Sequence, residues 1–141
     1  MKRPIAKAIL ILVALATSST AALAGWHSVE PVVIDAAARS ARGSIGTVRN
    51  GGDVFSDIGC TTYTAVSGQG SSPSAGTATS WGECWATDAN RNYMVCSTQR
   101  ADLIAIMRAA GPSSLISFTA NASGYCQRVA VITASDYEPA R

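Results

Sequence analysis

Four cysteines, Cys60, Cys84, Cys96 and Cys126, constrain what this chain can fold into more than any other feature. An even number of cysteines in a small exported domain reads as a disulfide framework, and four allow three pairings. The intervening stretches of 23, 11 and 29 residues contain no CxxC, and the single histidine lies far upstream, so the spacing argues against a structural zinc site. Cys84 and Cys96 are equidistant from Asn90. A hairpin with an odd-length loop centred there sets them opposite one another, which favours Cys84 with Cys96 and Cys60 with Cys126 over the other two pairings.

Export is expected from the first 24 residues. Met1, Lys2, Arg3 and Lys7 make a positive start, Ala8 to Ala16 an apolar run, and Ala22, Leu23 and Ala24 the small-x-small pattern of a signal-peptidase site. The apolar run is too short to span a bilayer. Residues 1–24 therefore read as a signal peptide and 25–141 as one exported domain, delivered to the periplasm or the medium, with no membrane span after cleavage.

Cleavage changes the charge. Three of the eleven basic residues leave with the signal and none of the nine acidic ones do, so eight arginines face nine carboxylates, a formal charge of −1. The arginines, at 39, 42, 49, 91, 100, 108, 128 and 141, are scattered and form no phosphate-tracking stripe, which argues against nucleic-acid binding.

Turn chemistry and alternation divide the 117 residues that remain. Val32 to Ile34 suggests a short strand and Ala36 to Arg42 a helical turn. Ser44 to Arg49 and Asp57 to Val66 suggest two strands joined through Asn50, Gly51, Gly52 and Asp53. Residues 67–77, rich in Ser, Gly and Pro, read as a long exposed loop. Thr79 to Thr87 and Asn92 to Ser97 form a hairpin about Asp88 to Arg91. A helix follows, with Ser97 or Thr98 as cap, Asp102 in the first turn, and Leu103, Ile104, Met107 and Ala110 on one face. Gly111 and Pro112 stop it. Leu115 to Ala120 and Tyr125 to Thr133 pair around Asn121 to Gly124, and the tail from 134 is expected to fray. The sequon at Asn121 to Ser123 is explained by that turn. Together these elements predict an α+β fold, a small antiparallel sheet of five to six strands, curled toward an OB-like barrel and packed on one helix.

Three chemistries deserve weighing on this framework. A nucleophilic triad needs a base, and the only imidazole, His27, lies three residues from the expected new N-terminus. Carboxylate-dependent hydrolysis would draw on Asp53 with Asp57, or Glu83 with Asp88, pairs that read more simply as solvated turn residues. The glycines at 43–46 and 51–52 lack the lysine and helix of a phosphate loop.

The second chemistry is recognition. Trp81 and Trp85, four apart on an expected strand, share a face about 13 Å long with Glu83 between them, able to meet a protein or glycan partner. The competing expectation is that both indoles are needed in the core of a chain with few aromatics. Gly82, Cys84 and Ala86 would face inward only if the helix packs close. Burial of Trp85 against its exposure decides between the two.

The third is metal binding. Cleavage after Ala24 exposes Gly25, Trp26 and His27, an arrangement that resembles the amino-terminal copper and nickel motif. The Gly25 amine, the amides of Trp26 and His27, and the imidazole would offer Cu(II) or Ni(II) four nitrogens. The expectation overall is a small exported, disulfide-bonded binding or inhibitory module, with a carboxylate hydrolase and an N-terminal metal binder as alternatives.

Overall fold

The computed structural model describes residues 28–67 and 77–137. Their chain forms seven strands in two antiparallel sheets, where the sequence led to one curled sheet of five to six strands. One sheet holds β1 (Val33–Asp35), β2 (Ser40–Ser44), β6 (Ser114–Ala120) and β7 (Cys126–Thr133), in the order β1-β2-β6-β7. The other holds β3 (Asp57–Ser67), β4 (Thr77–Thr87) and β5 (Tyr93–Thr98), in the order β3-β4-β5.

The chain passes between the sheets twice, each time through a short helix. α1 (Ile45–Asn50) connects β2 to β3, and α2 (Ala101–Met107) connects β5 to β6. The first replaces the strand expected over Ser44 to Arg49. β-branched Ile45, Thr47 and Val48 favour a strand locally, but Ser44 ends β2 in an extended conformation and its hydroxyl accepts from the Thr47 N–H. That is an N-cap, and it starts a helix. Gly46 then lets the backbone of Tyr137 lie against α1, where a Cβ would collide with the Tyr137 carbonyl oxygen. Asn50 therefore ends a helix, and Gly51 to Asp53 follow it instead of turning a hairpin.

The same contact orders part of the tail expected to fray. Ser135–Tyr137 form a 3-10 turn, and the Asp136 carbonyl accepts from the Ser28 N–H at 2.9 Å. Gly46→Ala should destabilise the protein by about 1–3 kcal/mol, as overpacking does. Urea unfolding of the variant checks this, and an unchanged midpoint would mean that the tail does not dock there.

The hairpins follow the expected turns. Asp88 closes β4-β5 by accepting at Oδ1 from the N–H groups of Asn90 and Asn92, both at 2.9 Å, and at Oδ2 from the Asn92 side chain at 2.8 Å. Asn121 closes β6-β7 in the same way, accepting from the N–H groups of Ser123 and Tyr125, with Gly124 at φ 80°. Between the sheets lies the core, built from Ala41, Ile58, Cys84, Ala86, Cys96, Ile116, Phe118 and Val129 with Leu103 and Met107 of α2. Helix α2 packs close because β4 presents Gly82 beneath it, where a Cβ would strike the Met107 sulfur. Thr98 helps start α2 by accepting the Arg100 N–H, although Arg100 itself occupies the cap position.

The disulfides are Cys60–Cys84 and Cys96–Cys126, which corrects the expected pairing. Cys84 does stand opposite Cys96, as the hairpin argument required, but it also stands opposite Cys60 on its other side. In an antiparallel sheet narrow and wide pairs alternate, and a central-strand residue that is narrow to one neighbour turns its N–H and C=O to the other. The Cys60 and Cys84 Cα atoms are 4.0 Å apart, a narrow pair, which makes Cys84 and Cys96 the wide one. Cys96 is left to bridge across to Cys126 on the other sheet.

Candidate functional site

Alternation along β4 settles which face is inside. Gly82, Cys84 and Ala86 are buried, while Trp81, Glu83 and Trp85 lie on the opposite, outward face of the three-stranded sheet. Pairing fixes their neighbours: Tyr63 opposite Trp81, Thr61 opposite Glu83, Gly59 opposite Trp85, and on the other side Val95 opposite Trp85 and Tyr93 opposite Thr87. Tyr63, Tyr93 and Val95 are all exposed, and Trp81 is 36% exposed.

The two tryptophans, expected to act as a pair, differ in role. Trp85 lies over Gly59, where any Cβ would press on its indole, and its Nε1–H donates to Asp57 Oδ2 at 2.7 Å. An aromatic ring covering a cross-strand glycine repairs a weak spot in a sheet, so this residue is held by its own strands. Trp81 instead stacks with Tyr63, ring centroids 5.4 Å apart and planes 26° from parallel. One face of its indole is thereby occupied and the other is turned away from Tyr63.

On that other side lies an open cleft of about 620 Å³, lined by Trp81, Ser97, Thr98, Gln99, Arg100, Tyr125 and Cys126. It forms where the two sheets meet beyond the end of β5. The Ser97 N–H donates to the Gly124 carbonyl at 3.0 Å, and Ser97 makes an isolated parallel bridge with Tyr125. Tyr125, 59% exposed, thus extends the row that runs from Glu83 through Ser97. Arg100 is held at the rim by Asp102, with Nε to Oδ1 at 3.2 Å and Nη2 to Oδ2 at 2.5 Å. That pair raises the guanidinium pKa and lowers the carboxyl pKa, chiefly through the side-chain hydrogen bond.

Of the groups that line the cleft, the sequence pointed to Trp81 alone as a recognition residue, and to Cys126, Ser97 and Thr98 only in structural roles. Tyr125 was legible only as a strand residue, because what brings it beside Ser97 is contact between sheets. Tyr63 had a signal, its place on the same alternation as the strand paired with Trp81.

Three of the four carboxylates considered for hydrolysis, Asp53, Asp57 and Asp88, are occupied in turns and cross-strand contacts, and Glu83 lies apart from them on the outward face of β4. Asp57 accepts from Trp85, and Asp53 accepts from the Phe55 N–H at 2.9 Å and from the Ser56 hydroxyl. Asp53 is held below the usual carboxyl range, first by the Ser56 hydroxyl and then by the Phe55 N–H. Asp88 is lowered as well, first by the Asn92 side chain and further by the Asn92 and Asn90 amides, against burial and the charge of Asp53. These shifts favour the ionised form, the opposite of what a general acid at neutral pH requires.

Because the Asp88 pKa is lower folded than unfolded, its ionised form stabilises the fold above the ordinary aspartate value. This contribution is lost as pH falls through about 4 toward the folded value. Asp88→Asn should therefore lower the melting temperature at pH 7 and narrow the gap to the parent below pH 3. Calorimetry at both pH values tests the sign, and a constant gap would remove Asp88 from the acid response.

Gly25, Trp26 and His27 lie outside the described residues. Among the described residues, no three His, Cys, Asp or Glu side chains converge as a metal site. No helix among them is long and apolar enough to cross a membrane. No family model, curated protein or solved structure matches this chain.

Proposed function

We propose that this chain is an exported binding or inhibitory module whose contact surface is the outward face of β3-β4-β5. One observation carries the reading: the sheet turns its small residues, Gly82, Cys84 and Ala86, inward and leaves Tyr63, Trp81, Tyr93 and Val95 toward solvent. A chain with few aromatics that required them all for its core would do the reverse. Tyr63 with Trp81 and Tyr93 with Val95 flank the polar row of Thr61, Glu83 and Ser97, and exposed aromatic residues dominate the energetics of protein contacts. Two disulfides suit an oxidising compartment. They also hold the face rigid, so binding orders little that was previously free.

Site-specific photo-crosslinking in the exporting host tests the assignment. A benzophenone-bearing side chain at Tyr63 or Tyr93 should give discrete adducts, and one at Ile132, exposed on β7, should not. Adducts at Ile132 in preference to Tyr63 and Tyr93, or at none of the three, would overturn it.

A further inference from the structure

We infer that the cleft between Trp81 and Tyr125 is a carbohydrate subsite that seats one neutral, gluco-configured pyranose ring; this rests on the binding-module reading above and specifies its ligand. The volume of about 620 Å³ lies in the range of small-molecule sites and has room for one ring and parts of its neighbours.

The walls come first. Tyr63 stacks on one face of Trp81 and does not line the cleft, so the indole offers the cleft its other face. Tyr125 stands on the far side of β5, two strand spacings from the line of β4 and one same-face step along from Trp81, which sets the two backbone positions about 12 Å apart. A ring at van der Waals distance from an aromatic on each side needs about 7–8 Å, a gap that backbones at this separation can leave between their side chains. A gluco-configured pyranose carries its substituents equatorially and so presents C–H groups on both faces. A galacto-configured ring breaks one face with an axial hydroxyl.

The remaining lining chooses between a sugar and an aromatic peptide side chain. Ser97 and Gln99 offer hydroxyl and amide groups around the gap, and Arg100 adds guanidinium donors at its rim. An inserted phenyl ring would take these groups from water without replacing their hydrogen bonds, a cost that sugar hydroxyls avoid. Charge narrows the class further. Arg100 is the one charged residue of the lining and is already paired with Asp102, so the cleft favours a neutral ring over an acidic one.

The test is calorimetric and fluorimetric titration of the full chain with cellotriose, with galactotriose and with acetyl-Gly-Phe-Gly-amide. Cellotriose should bind and perturb tryptophan emission, and galactotriose should bind more weakly. Trp81→Ala and Tyr125→Ala should each weaken cellotriose binding about tenfold, the worth of one aromatic stacking contact. Tyr125 is largely exposed, so its variant should keep the parent circular dichroism spectrum even if Trp81→Ala loosens β3 and β4. Absence of cellotriose binding at millimolar concentration, equal affinity in Tyr125→Ala, or preference for the phenylalanine peptide would overturn the subsite. Crosslinking at Tyr93 together with any of these outcomes would sink the sugar assignment and leave the binding module standing.

Discussion

Replacing Cys96 and Cys126 together by alanine should lower the free energy of unfolding by about 3–4 kcal/mol in the absence of reductant. The bond closes a separation of 30 residues, and the unfolded chain gains that loop's freedom when the link is removed. Alanine is the proper replacement, since both cysteines are buried and a serine would add hydroxyls without partners. Removing Cys60 and Cys84 should cost a similar amount, because the separation of 24 residues is nearly the same. Amide exchange separates the two variants. Cys60 and Cys84 join strands already paired along their length, whereas Cys96 and Cys126 join different sheets. Loss of the second bond should therefore release the Ser97 N–H, which crosses to Gly124, far more than loss of the first. A cost below about 1 kcal/mol for the Cys96 and Cys126 variant, with Ser97 still protected, would mean that packing alone holds the sheets together.

The second large effect is expected in α2. Leu103→Ala and Met107→Ala should each cost about 2–5 kcal/mol, as other large-to-small core substitutions do. Both side chains are buried, and Met107 sits directly over Gly82, where no β4 side chain exists to relax into the space. Asp102→Ala removes an exposed pairing with Arg100 and should cost far less. Urea unfolding of the three variants compares them on one scale. Equal small losses would show that the helix is not docked on the sheet.

What the sequence disclosed and what it concealed divide along local and non-local lines. The turns at Asp88 to Asn92 and Asn121 to Gly124 announce themselves because side chains there bond to backbone only two to four residues away. The apolar stripe of α2 is equally local. The division into two sheets is not, since β2 pairs with β6 across more than seventy residues, Ser40 with Thr119. Helix α1 reads locally as a strand because its β-branched residues have a preference that the Ser44 cap and the Tyr137 backbone override. The outward placing of Trp81 and Glu83 was half legible: alternation puts them on one face, but only the docking of α2 on Gly82 says that this face is outside. Tyr125 and Arg100 reach the cleft from other elements, and no short window contains that information.

The row Cys60, Cys84 and Cys96 carries a kinetic consequence. Cys60 and Cys84 precede Cys96 and Cys126 in the chain, so a chain that meets an oxidant N-terminus first can close the final Cys60–Cys84 bond before the later cysteines arrive. That bond withdraws Cys84 from Cys96, which the β4-β5 hairpin sets opposite it, and keeps Cys96 for Cys126. A full-length reduced chain has no such order: there the hairpin, closed by the local bonds of Asp88, can join Cys84 to Cys96, and reaching the final pairing then requires a thiolate to attack that bond, an exchange that takes seconds to hours without a catalyst. Refolding from the reduced, full-length chain should accordingly depend on thiol–disulfide exchange more than on an oxidant.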